Sequence, residues 1–254
     1  MEENLKNQLT EWANKYETPD FVKSDPVQFP RRFKLLQDIE VSAFITAWLA
    51  FGRREAIIEA AEQVHKYMGV SPYKYIMEKQ YNDFMDCDAL TLYRFYSWHD
   101  FYCLCDRLHD LYTAYNSMYM YMTAMLFTRK TSDNETFLRP LLDFFGECYG
   151  IPCTLTSSCK RLCMFLRWMI RVDSPVDLGL WLNFNPKKLI MPVDTHVHQV
   201  ALELGIISRK SNDFIAAVEI TKAMSEVFRN DPARGDFAMF GYGVNHPAKK
   251  GGAK

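Results

Sequence analysis

The chain has 254 residues, 48% apolar and 24% charged, which excludes disorder and low-complexity architectures and leaves enough material for a self-sufficient core. Its 30 basic and 31 acidic residues give a net charge of −1, so bulk positive charge cannot hold nucleic acid and any phosphate contact must be local. The polar opening MEENLKNQLTEW, seven cysteines and the lack of an apolar run near the ~20 residues of a bilayer span predict a cytoplasmic protein with reduced thiols and no membrane association.

Helical spacing dominates from there. Val41, Phe44, Ile45, Trp48 and Leu49 mark a core-facing helix that Asp38 is placed to cap. Ile57 to Met68 forms the next, stopped by Gly69, and Ser71-Pro72 opens another. Helices are expected over Asp100 to Tyr115, Phe137 to Tyr149, Lys160 to Arg171, Thr195 to Leu204 and Ile215 to Phe228, with Gly150 and Gly205 as stops. The Tyr/Met stripe Met118 to Met125 reads as packing. Val172 to Pro192 contains Pro175, Pro186 and Pro192 and is expected to cross between two helical lobes, with a short helix over Leu178 to Leu182. Lys249 to Lys254 forms a low-complexity tail. No alternating β-branched run and no hairpin dipeptide is present, so the expected fold is all-α.

Two segments carry candidate chemistry. In Pro192-Val193-Asp194-Thr195-His196-Val197-His198, a strand would place both histidines on one face, as in the metal strand of amidohydrolase barrels. No βα alternation precedes it, and on a helix positions i and i+2 diverge, so a dinuclear metal site is rejected. Asp194 is then a helix cap facing the start of an apolar helix. In Ile151 to Leu162, a polar turn after Gly150 leads to a helix bearing Lys160, Arg161, Arg167 and Arg171. Free amides at such a helix start receive phosphate, although a solvated basic face explains the same residues.

Taken together, the turn with Lys160 and the later MPVDTHV resemble the two signatures of the helix-hairpin-helix DNA glycosylases, the endonuclease III and 8-oxoguanine glycosylase group. The crossing Val172 to Asn185 resembles the archaeal 8-oxoguanine glycosylase branch. KRLCMFLRWMIR, DLGLW, MPVDTHVHQVALELG and DPARGDFAMFGYG are similar to the uncharacterised DUF2400 family, from about Asp38 to Gly243. The typical hairpin of the superfamily is glycine-rich, whereas Leu155 to Lys160 has no glycine, which makes a left-handed turn costlier.

The resemblance implies a two-lobed helical fold, with residues 38–174 as a central lobe and 1–37 plus 175–254 as a terminal one. It implies base excision from damaged DNA, duplex or single strand and including oxidised purines, by a monomer needing neither metal nor organic cofactor. Lys160 would be the nucleophile and Asp194 its partner, giving glycosylase and AP-lyase chemistry. That step needs a free amine, and Arg161 and Arg167 are expected to crowd it. Asp236, Phe240 and Trp48 are the candidate base contacts. Arg53, Arg54, Arg161 and the amides of Ser157 and Ser158 are the candidate backbone contacts. The rival expectation is a non-catalytic module that binds nucleic acid or protein on the same scaffold, favoured by the glycine-free turn and the net charge.

Overall fold

The computed structural model describes residues 1–128 and 137–245, so the tail Lys249 to Lys254 lies outside the described residues. Within them the protein is all-α apart from one short hairpin. α1 (Glu3–Tyr16) and α2 (Pro19–Ser24) lead through two 3-10 turns to α3 (Leu36–Leu49). There follow α4 (Arg54–Met68), α5 (Pro72–Met77), the antiparallel pair β1 (Thr91–Tyr93) and β2 (Tyr96–Ser97), and α6 (Trp98–Tyr115). α7 (Met118–Thr128), α8 (Leu138–Phe145) and α9 (Lys160–Ile170) precede the proline-rich crossing. α10 (Thr195–Glu203), α11 (Phe214–Met224) and α12 (Gly235–Asn245) complete the order. No helix among the described residues is long and apolar enough to cross a membrane.

α3 is the centre. Every residue from Asp38 to Leu49 is buried, so the predicted stripe is in fact a helix enclosed on all sides. It packs on α9, α4 and α5. Glu40, fully buried within it, accepts from the Tyr112 hydroxyl, the Met118 and Tyr119 amides and the Trp181 indole at 2.9–3.1 Å. Two of those donors are first-turn amides of α7, so a carboxylate from another helix caps it. Burial pushes the Glu40 carboxyl up, and its four donors pull the other way.

Several sequence expectations need correction. Asp38 does not cap its own helix: its carboxylate accepts from the Ser71 hydroxyl and the Tyr73 amide and so secures the start of α5. α8 stops at Phe145, well short of Tyr149. Leu178 to Leu182 forms no helix. Its backbone donates from Leu178 and Gly179 to the Trp168 carbonyl and from Trp181 to that of Met169, satisfying the open end of α9. The β-hairpin was not expected, because its turn residues are Arg94 and Phe95 rather than a glycine dipeptide.

α1 lies along α12, which in turn packs on α10. Trp12 stacks on Tyr242 with ring centroids 4.0 Å apart. Beneath this contact runs a buried ion network. Arg167 pairs with Asp177 and Asp236, and Arg171 with Asp177, Asp231 and Glu17, while Glu17 also pairs with Arg234. The arginines read as a solvated face are therefore interior, and DLGLW and DPARGD supply their counter-charges.

Candidate functional site

The turn after Gly150 delivers Lys160 at the first position of α9. Cys159 just before it is left-handed (φ 51°), so a non-glycine residue occupies the conformation that glycine adopts at least cost. The Ser157 hydroxyl accepts from the Cys159 amide and helps hold the turn. Ser158 is buried and donates its hydroxyl to the Val193 carbonyl at 2.8 Å. That bond ties the start of α9 to the residue preceding Asp194. Asp194 caps α10, accepting from the Val197 amide through Oδ1 at 2.9 Å.

Two cavities, of about 440 and 350 Å³, share Ala50, Gly52, Lys160, Asp194 and His196. Both volumes lie in the range of small-molecule sites. The first is walled by Trp48, Phe51, Ile151, Pro152, Val193 and Asn212. The second is charged, lined by Asp25, Arg53, Arg54, Arg167 and Asp236 together with the rings of Phe21 and Phe240. The Lys160 ammonium donates to the Ala50 carbonyl at 3.4 Å. Burial pushes the Asp236 carboxyl up to about 7, the Arg167 and Lys160 charges opposing this and the Asp194 charge adding to it. Burial likewise raises Asp25, whose Oδ1 accepts from the Val27 amide, against the pull of Arg167, Arg54 and Lys160. The Lys160 and Arg167 charges thus act on both buried carboxyls of the second cavity, Asp25 and Asp236, with Arg54 acting on Asp25 and Asp194 on Asp236.

The other candidate residues divide. Asp236 and Phe240 both line the second cavity. The Phe240 ring lies 5.2 Å from the Arg54 guanidinium and 6.4 Å from the Phe21 ring. Trp48 is almost wholly buried, stacks on Tyr96 at 4.0 Å and donates its indole N–H to the Tyr149 carbonyl, leaving an edge in the first cavity. Arg53 is exposed and Arg54 half-buried at the mouth of the second cavity; Ser157 is exposed at that of the first. Arg161 differs from expectation. Its guanidinium donates to the Trp48 and Gly150 carbonyls and the Tyr96 hydroxyl, so this half-buried residue lines the first cavity with its donors already committed to the fold. Arg167 is likewise committed, to Asp177 and Asp236.

Asp25 escapes the sequence reading. Its only local sign is Asp-Pro ahead of a short turn, and the chain folds it against α9 from far away. The two histidines of the MPVDTHVH segment diverge: His196 faces the shared cavities, while buried His198 contacts the Arg209 carbonyl. Among the described residues no group of His, Cys, Asp and Glu side chains is arranged to hold a metal ion. The family described as Protein of unknown function (DUF2400) matches residues 25–245. No curated protein and no solved structure matches the chain.

Proposed function

The chain belongs to the DUF2400 family, and from that premise we propose that it is a DNA base-excision glycosylase with AP-lyase chemistry, related to the helix-hairpin-helix glycosylases. The observation that carries the reading is the placement of Lys160 and Asp194, far apart in sequence, on the shared rim of two adjoining cavities. The cavity walls also fit the two-lobe division. Trp48 to Arg54 and Ile151 to Arg167 come from the central part, while Phe21, Asp25, Val193 to His196, Asp236 and Phe240 come from the terminal part.

In this mechanism the neutral Lys160 amine attacks C1′ of the damaged nucleotide. The C1′–N bond breaks, its electron pair leaves with the base, and the base takes up a proton. Asp194 stabilises the positive charge developing on the sugar and accepts the proton that the lysine nitrogen loses. The nitrogen lone pair then opens the C1′–O4′ bond, O4′ taking up the proton held by Asp194, to give a Schiff base between Lys160 and C1′. Loss of a C2′ proton expels the 3′ phosphate and nicks the strand.

The test is borohydride capture on DNA carrying an abasic site, together with base release from a panel of lesions. Lys160→Gln should abolish capture while DNA affinity survives. Asp194→Asn keeps a capping oxygen, so it should cost under ~1 kcal/mol of stability, yet slow base release about 10²-fold or more. Capture by the Gln variant at the parent's level, or a silent Asn variant, refutes the reading. The rival, a non-catalytic binding module, draws on the inward commitment of Arg161 and Arg167, and predicts DNA or protein binding with no capture at all.

A further inference from the structure

The hairpin that the sequence did not announce is fastened to the wall of the first cavity. The Tyr93 hydroxyl donates to the Phe51 carbonyl. Arg161 beneath the cavity holds the Tyr96 hydroxyl, and the Tyr96 ring lies flat on Trp48. Gly52 (φ 95°) leaves the space that the hairpin fills, since a Cβ there would come within 2.8 Å of both the Arg94 guanidinium and the Tyr93 hydroxyl. Against these anchors the tip is bare. Phe95 is 70% exposed, its ring nearly parallel (10°) to that of Phe51 with centroids 6.4 Å apart. The Arg94 guanidinium lies 5.6 Å from the Phe51 ring and 5.5 Å from that of Phe95. Arg53 is exposed on the same loop as Phe51, and Tyr149, 56% exposed, meets the edge of Tyr96 across the mouth.

Resting on the glycosylase reading, we infer that this hairpin tip is a stacking platform for an unpaired base beside the reacting nucleotide, so that the preferred substrate is a single strand or locally open DNA rather than closed duplex. A ring left 70% exposed offers a π-face to any base, and such stacking needs the base to be free of its partner. The guanidiniums of Arg94 and Arg53 give the charge complementarity that directs a phosphodiester chain, not an apolar protein surface, across the tip. The rest of the molecule agrees. A chain of net charge −1, with its turn arginine folded inward, has little with which to grip two phosphate backbones. A stacked single strand needs fewer such contacts.

The experiment measures binding of fluorescein-labelled oligonucleotides carrying a tetrahydrofuran abasic analogue, single-stranded or paired with the complement, across a salt series. The parent is expected to favour the single strand by about tenfold, the scale of one base–ring stack. Phe95→Ala should remove that preference by weakening the single strand alone, and Phe95→Tyr should restore it. Arg94→Gln should make the salt slope shallower by ~0.7 without erasing the preference. Equal or tighter duplex binding by the parent, or a preference that survives Phe95→Ala, overturns the inference while leaving Lys160 capture intact. Strand preference lost in Phe95→Ala, with no borohydride capture on single-stranded or duplex DNA carrying a natural abasic site, supports the platform and overturns the glycosylase reading instead. Absence of binding to both forms overturns both.

Discussion

Asp194 is where two roles meet in one side chain. Its Oδ1 caps α10 while the residue lines both cavities, so loss of the cap and loss of charge must be separated by substitution. Local sequence grammar makes Asp194 and Lys160 legible, one opening a helix after proline, the other opening a helix after a polar turn. Asp25 and Arg161 are not legible, because their roles depend on partners far along the chain, Arg167 and Lys160 for one and Trp48 and Tyr96 for the other. His65 gives a prediction at the same scale. Buried between the Ser42 hydroxyl and the Ala61 carbonyl, it is pushed down by burial to about 4. The unfolded chain therefore takes up its proton first. The histidine removes stability as pH falls from about 6.5 to about 4, on the order of 3 kcal/mol in all. Asp236 acts with the opposite sign, since its raised carboxyl favours the folded state as pH drops below about 7. Urea unfolding at pH 7 and pH 5 should thus show a larger acid loss in the parent than in His65→Gln. Parallel losses would contradict it.

Elements are held by groups outside themselves. α7 is capped by Glu40 from α3, and α5 by Asp38 from α3, so the first turns of both helices depend on a third. This explains what the sequence conceals. Hydrophobic spacing reveals that α3 exists, but Asp38 reads as a local cap and nothing local marks Glu40, when both are tertiary caps. The hairpin is hidden for another reason: strands of three and two residues are too short for alternation to register. Close approach of α1 to α12 yields a prediction. A Cβ on Gly241 would lie 2.3 Å from Cγ of Tyr16. Gly241→Ala should gain ~1 kcal/mol of helix propensity and lose more to overpacking, which typically costs about 1–3 kcal/mol. A lowered melting temperature, with amide exchange quickening first in α1, is the expected result. An unchanged or raised melting temperature would show that Tyr16 yields freely.

Across the whole molecule, the buried arginines of α9 join segments that the sequence separates widely. Arg171 holds Glu17 near the chain start, Asp177 in the crossing and Asp231 ahead of α12. Removing it takes a partner from three carboxylates, two of them with side chains almost wholly buried: Asp177 keeps Arg167 and Glu17 keeps Arg234, while Asp231 loses its arginine. Arg171→Ala should cost about 3–5 kcal/mol, the scale of breaking a buried pair from one side. Arg171→Lys should recover only part, because an ammonium cannot reproduce the forked contacts. A loss below ~1 kcal/mol in chemical denaturation would show these pairs to be screened like surface ones.

The contact between α1 and α12 also sets a timetable. Chains emerge from the ribosome amino end first, and domains acquire their packing in that order. Lys160 and Asp194 are both synthesised before α12, yet the wall of the second cavity needs Asp236 and Phe240 beside Phe21 and Asp25. Until α12 is released, Leu9, Ala13 and Trp12 lack the surface on which they pack. A nascent chain therefore carries Lys160 without a finished second cavity, and a polypeptide stalled before Gly235 leaves the apolar face of α1, with Leu9, Trp12 and Ala13, uncovered.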